Sequence, residues 1–147
     1  MSNLSPGAMR RTGSGFGPLQ IAITTLVAAT ALVHLFLGVN VNLARMASSA
    51  PTAAVGARGG TLVAILGVLF LCNFVGYVSL CAALYLPLLR RFRRITRALL
   101  IGFTAVTFAA YFAIERGHAL NPIGIADKAV EAALIVLLVI EGRRAAE

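Results

Sequence analysis

Charge is what this chain has least of. Only 12% of its 147 residues are charged and 59% are hydrophobic, with a mean hydropathy of +0.90. A soluble domain carries about 25% charged residues, and a chain this small has too much surface to cover with so few. Disorder is excluded by the same numbers, because a disordered chain needs low hydrophobicity. Tryptophan is absent, and there are two cysteines and five acidic residues. No CxxC, CxxCH or paired Cys/His spacing occurs, which argues against covalent haem and zinc ribbons. No phosphate-binding loop, GxSxG, HExxH or dinucleotide fingerprint is present. No soluble segment is long enough to carry catalysis. The expectation is an integral membrane protein that is not an enzyme.

What is there is apolar runs punctuated by arginine. Residues 1–17 read as a flexible polar tail, and 143–147 as a short C-terminal tail. Between them, residues 18–142 divide into four runs of about 18–38, 61–89, 95–114 and 123–141. Each is long enough for a hydrocarbon core of roughly 30 Å. The first is longer than the apolar part of a signal peptide and lacks a clean small-residue cleavage site nearby, so it reads as a retained span. Residues 39–60 read as a linker rich in small residues. Pro87 near the end of the second run marks a stop or kink. Asn121 and Pro122 fit the cap and first position of the fourth helix. With two short connections, the expected fold is all-α: an up-down-up-down four-helix transmembrane bundle.

The basic residues set its orientation. Thirteen Lys+Arg against five Asp+Glu give +8, and twelve of the thirteen are Arg. Four spans put Arg10, Arg11, Arg90, Arg91, Arg93, Arg94, Arg97, Arg143 and Arg144 on one side. Arg45, Arg58, Arg116 and Lys128 fall on the other. The positive-inside rule then places both termini in the cytoplasm, in a prokaryotic cytoplasmic (inner) membrane suggested by the Ala-, Gly- and Arg-rich usage. The run Arg90, Arg91, Arg93, Arg94, Arg97 reads as a topology determinant that meets anionic lipid at the cytoplasmic face. It lacks the interleaved aromatics of a nucleic-acid surface, so no nucleic-acid partner is expected.

Ionisable groups inside a membrane are costly and are functional candidates by default. Glu131 lies about 13 Å into the fourth run, with Asp127 and Lys128 one turn earlier on the same face. His34, Glu115 and His118 sit at the same outer level. Two histidines and three carboxylates gathered there would suit a divalent metal or a proton relay. The plainer reading, which is preferred, pairs Glu131 with Lys128 or Arg116 and pins the fourth helix to the third, with no metal and no cofactor. His34 then reads as a hydrogen-bonded structural histidine. Asn73, with Gly76 and Tyr77 on its face, reads as an interhelical hydrogen bonder or as the polar lining of a cavity. Thr104 and Thr107 can bond their own backbone. Cys72 and Cys81, about 13 Å apart along one helix, are too far for a disulfide and read as buried apolar residues. Cys72-x-x-x-Gly76 and Ala105-x-x-x-Ala109-x-x-x-Ala113 read as close-approach faces. Tyr85, Phe92, Tyr111 and Phe112 fit an interfacial aromatic belt.

The segments Val33-His34-Leu35-Phe36-Leu37-Gly38, Leu71 to Tyr77 and Asp127 to Glu131 resemble uncharacterised small four-span membrane proteins of bacteria and archaea. The resemblance implies the four-span bundle and brings no activity or site residues with it. The leading functional expectation is an accessory or structural subunit, or a self-associating bundle, present as a homo-oligomer or in a larger membrane complex. The alternative is a small ion- or proton-coupled transporter or channel using Glu131, Asp127, His34 and Asn73. A weaker alternative is the membrane anchor of a redox complex, with quinone or haem near His34.

Overall fold

The computed structural model describes residues 17–47, 57–114 and 122–145, and nearly all of them are helical. Helix α1 is Pro18–Ala47, α2 is Ala57–Tyr85, α3 is Arg93–Ile114 and α4 is Pro122–Arg144. A 3-10 turn, Pro87–Phe92, joins α2 to α3.

The breaks have local causes. Pro87 lacks an N–H and cannot continue α2, so the chain leaves the helix at Leu86, which is extended at φ −62° and ψ 128°. The second run therefore ends as helix at Tyr85 rather than at residue 89, and α3 starts at Arg93, two residues before the apolar run. The linker expected over 39–60 is shorter than its composition implied. Residues 39–47 continue α1, and residues 57–60 already belong to α2. Hydropathy falls after Gly38, but Leu43, Ala44, Arg45 and Met46 are good helix formers. Asn40 and Asn42 return their side chains to the carbonyls of Phe36 and Gly38, both at 2.7 Å. Arg45 in the last turn complements the helix dipole.

Three stretches are long and apolar enough to cross a membrane: Pro18–Ala47, Thr61–Tyr85 and Pro87–Ile114. Helix α4 is long enough, at 23 residues, but carries Asp127, Lys128 and Glu131 within its apolar stretch. Among the described residues α1 packs on α2 and α4, and α3 packs on α2 and α4.

The buried side of each helix is a stripe of helical period. On α1 it is Ile23, Val27, Thr30, Ala31, His34 and Gly38. On α3 it is Thr96, Arg97, Leu100, Thr104 and Thr107, and on α4 Asp127, Lys128, Glu131, Leu134, Leu138 and Glu141. Tyr77 and Leu84 bring α2 into the same core. The usual soluble pattern is inverted. Most charged and hydroxyl side chains of the α3 and α4 stripes face inward, while Leu32, Phe36, Leu62, Ile65, Val106 and Val136 stand more than half exposed.

Two glycines set the spacing of α1 and α2. A Cβ on Gly38 would lie 2.9 Å from the Leu71 side chain, and one on Gly67 would lie 2.7 Å from the Asn42 amide. Gly76 accepts the ring of Phe103, whose tip would lie 2.6 Å from an added Cβ. This face thus receives an aromatic ring of α3. Cys72, expected to be buried, is exposed, and Cys81 is half-buried. Ala105, Ala109 and Ala113 also point outward, with Gly102, so the small-residue face of α3 is exposed among the described residues. The periodicity located both features on a helix. It did not say which side turns inward, and the polar stripe of α3 took that place.

Candidate functional site

The inward stripes converge on Glu131, whose side chain is wholly buried. Its carboxylate touches all three other helices. Lys128, three residues earlier on α4, donates to Oε2 at 2.6 Å. Tyr77 of α2 donates to Oε1 at 3.0 Å, and the Nε2 of His34 on α1 lies 3.5 Å from the same oxygen. The hydroxyl of Thr107 on α3 has one hydrogen and three acceptors in reach. It lies 3.1 Å from Oε1 of Glu131, 2.9 Å from the Tyr77 hydroxyl and 2.9 Å from the Thr104 carbonyl. A carboxylate in a low-dielectric core is tolerated only when paired and hydrogen-bonded in this way.

Asp127 extends the cluster toward α1. Thr30 donates to its Oδ1, Lys128 Nζ lies 3.1 Å from Oδ2, and His34 Nε2 lies 3.8 Å from Oδ2. The ammonium of Lys128 is therefore shared by two carboxylates. The His34 ring is stacked on Tyr77 at 5.6 Å and tilted against Phe70 at 5.8 Å. Its Nδ1 is buried with no hydrogen-bond partner among the described residues.

The groups expected to meet do so in part. His34, Asp127 and Glu131 converge, as does Lys128, the partner anticipated for Glu131. Glu131 ties α4 to α1 and α2 as well as to α3. Glu115, Arg116 and His118 lie outside the described residues. Asn73 stands aside from the cluster, and no hydrogen bond joins it to a described residue. Sequence reasoning gave no role to Thr30 and discounted Thr107. Thr30 lies one helical turn from His34, a residue already under suspicion. Tyr111, expected in an interfacial belt, turns inward against Gly124, with Lys128 Nζ 5.6 Å from its ring.

His34, Asp127 and Glu131 each offer one ligand atom within 4.8 Å of the others, and all three are buried. Lys128 already occupies the cationic position between the two carboxylates. A metal ion held there would have to displace a primary ammonium at 2.6 Å. With a neutral imidazole the cluster sums to one negative charge, and one proton on His34 brings it to zero.

A cavity of about 350 Å³ adjoins the cluster and is lined by all four helices. Its walls are mainly aliphatic and aromatic, from residues such as Leu37, Leu69, Phe70 and Val106. His34, Asn73, Thr107, Tyr111, Asp127 and Lys128 are its polar lining residues.

A second charged group lies on α3 and α4. Glu141 accepts from Arg93 Nη2 at 2.7 Å and from Arg97 Nε at 3.1 Å. The Arg97 and Glu141 side chains are nearly buried, and that of Arg93 is one-third exposed. Arg97 and Arg93, assigned from the sequence to lipid and topology, are thus turned toward α4. Glu141, three turns after Glu131, attracts them inward. Arg90, Arg91 and Arg94 stay on the surface, Arg91 with its guanidinium over the Phe92 ring at 4.5 Å.

No protein family, curated protein or solved structure matches the chain.

Proposed function

We propose that the chain is a non-enzymatic integral membrane protein of four spans, an up-down-up-down bundle that serves as a self-associating or accessory subunit of a membrane complex. The observation that carries this reading is the inverted polarity of the four helices. The charges of α4 within its apolar stretch are paired inside the chain, and apolar side chains make up most of the outer surface. Pairing of Asp127, Lys128 and Glu131 removes the objection to α4 as a span, because a charge that never meets lipid costs little there. Among the described residues the exposed charges, Arg45, Arg90, Arg91, Arg94, Arg143 and Arg144, stand near helix ends, and the apolar faces between them suit lipid and other helices alike. The outward small-residue face of α3, with Gly102, Ala105, Ala109 and Ala113, suits close helix contact between chains. Both termini lie in the cytoplasm on the arginine count, with Arg90, Arg91 and Arg94 at anionic headgroups.

Purification in mild detergent, with mass measurement of the intact particle, tests this reading. A particle holding several copies, or a stoichiometric partner, is expected. A monomer carrying no partner overturns it.

A second reading, a proton- or ion-coupled transporter, is favoured by one observation. Two buried carboxylates share a single ammonium beside a cavity. Loss of proton-driven flux in proteoliposomes on Glu131→Gln, with the fold retained, would put this reading first. Absorbance in the visible range that disappears on His34→Ala would instead make the chain a redox anchor.

A further inference from the structure

The cavity beside the cluster has a polarity that selects its occupant. Its volume, about 350 Å³, lies within the range of small-molecule pockets, roughly 300–1,000 Å³. Leu69, Val106 and Ile114 line it and are also about half or more exposed on the outside of the helices. Its mouth therefore faces the surroundings of the helices, which in a membrane is lipid. On the membrane-spanning reading, the ligand enters sideways from the hydrocarbon.

Two polar groups of the lining are uncommitted among the described residues. His34 is 3% exposed, and its Nε2 faces the carboxylates of Asp127 and Glu131. A neutral imidazole in that setting carries its proton on Nε2, which leaves Nδ1 as an acceptor. That Nδ1 is buried and has no partner among the described residues. A buried acceptor without a donor costs free energy, and a bound hydroxyl would remove the cost. Asn73 is the second group. It lies between Phe70 and Tyr77 on one face of α2, and those two rings flank His34. Its amide offers both a donor and an acceptor. With the imidazole neutral, the cluster's surplus negative charge disfavours an anion.

We infer that this cavity binds a neutral aromatic alcohol, of the phenol or quinol class. The hydroxyl donates to Nδ1 of His34 and accepts from the Asn73 amide, and the ring lies among Leu69, Phe70 and Val106.

The probe is 1-naphthol, titrated into the full chain in lipid nanodiscs and followed by its own fluorescence. 1-Methylnaphthalene and 1-naphthoate serve as comparators. Saturable binding of one naphthol per chain is expected. Replacing His34→Phe or Asn73→Leu is expected to weaken it by about tenfold, the worth of one ordinary hydrogen bond, and losing the hydroxyl, which makes both bonds, is expected to weaken it further. Naphthoate is expected to bind more weakly than naphthol. Ala110→Phe, which fills the cavity from α3 without touching either polar group, is expected to abolish saturation. Circular dichroism establishes that each variant folds. Uptake that is linear in lipid, equal for naphthol and methylnaphthalene and unchanged by Ala110→Phe would overturn the inference. Extraction of the chain from its membranes by alkaline carbonate alone would instead overturn the membrane-spanning reading, independently of the titration.

Discussion

Glu131 shows how one side chain can hold four helices together. Its carboxylate accepts from Lys128 and Tyr77 and lies within reach of Thr107 and His34. Removing Glu131 leaves Lys128 paired with Asp127, but takes the carboxylate acceptor from the buried Tyr77 hydroxyl, and a buried polar group left unsatisfied costs about 1–3 kcal/mol. Glu131→Leu should therefore destabilise the fold by an amount of that order, measured as a shift in the SDS or thermal unfolding midpoint in detergent. Arg97 and Glu141 give a parallel case, because Arg93 also serves the same carboxylate. A double-mutant cycle of Arg97→Met and Glu141→Leu should return a favourable coupling of about 0.5–3 kcal/mol. A coupling near zero would show that the pair is solvated. The residue scale is also where the sequence was least explicit. Charged residues within an apolar run announce Asp127, Lys128 and Glu131, and the helical period puts them on one face. Thr30 and Thr107 carry no such signal, since a threonine in a membrane helix commonly bonds its own backbone. Arg97 is one of five arginines in the run from 90 to 97, and only the depth of Glu141 on a different helix distinguishes it.

At the scale of the elements, glycine positions decide how closely the helices approach. Gly76 and Gly102 form a matched pair. A methyl group on Gly76 would meet the Phe103 ring at 2.6 Å, whereas one on Gly102 would meet nothing within 4 Å. Gly76→Ala should thus cost about 1–3 kcal/mol through overpacking of α2 on α3. Gly102→Ala should leave stability unchanged or raise it by up to about 1 kcal/mol through helix propensity. Thermal unfolding of the two variants side by side checks both signs. The sequence made the helices legible because runs of apolar residues and Pro87 are local signals. It left their ends uncertain where local chemistry outlasts hydropathy, as in the extension of α1 through Asn40 and Asn42. It also left open which face each helix turns to its neighbours. The exposed Ala105, Ala109 and Ala113 show why: a small-residue repeat marks a face fit for packing without naming the partner.

For the whole molecule, the consequence of the arginine distribution is orientation. On the proposed topology, the segment between α1 and α2 faces away from the cytoplasm, and the 3-10 turn with Arg90, Arg91 and Arg94 faces it. With Cys72 and Cys81 replaced by serine, Ala54→Cys should react with a membrane-impermeant maleimide added to intact cells. Arg91→Cys should react only after the membrane is opened. The reverse pattern would invert the orientation. Lys128 does not belong in the arginine count at all, because its ammonium is enclosed by Asp127 and Glu131 and never reaches a headgroup. Setting it aside widens the asymmetry between the two sides.

The enclosure of that ammonium also bears on how the chain is made. As synthesis reaches α4, Asp127, Lys128 and Glu131 emerge together, and each would cost about 2.5–3.5 kcal/mol at the centre of a membrane segment entering alone. Their partners Thr30, His34, Tyr77 and Thr107 sit on α1, α2 and α3, all translated earlier. Helix α4 should therefore enter the membrane only against a receptive surface already assembled by the first three. In a translation-insertion assay α4 appended to an unrelated leader should pass into the lumen, while α4 following its own α1 to α3 should stay. Chains carrying His34→Ala with Tyr77→Phe should show the defect at the moment of synthesis, before any mature fold exists to be destabilised.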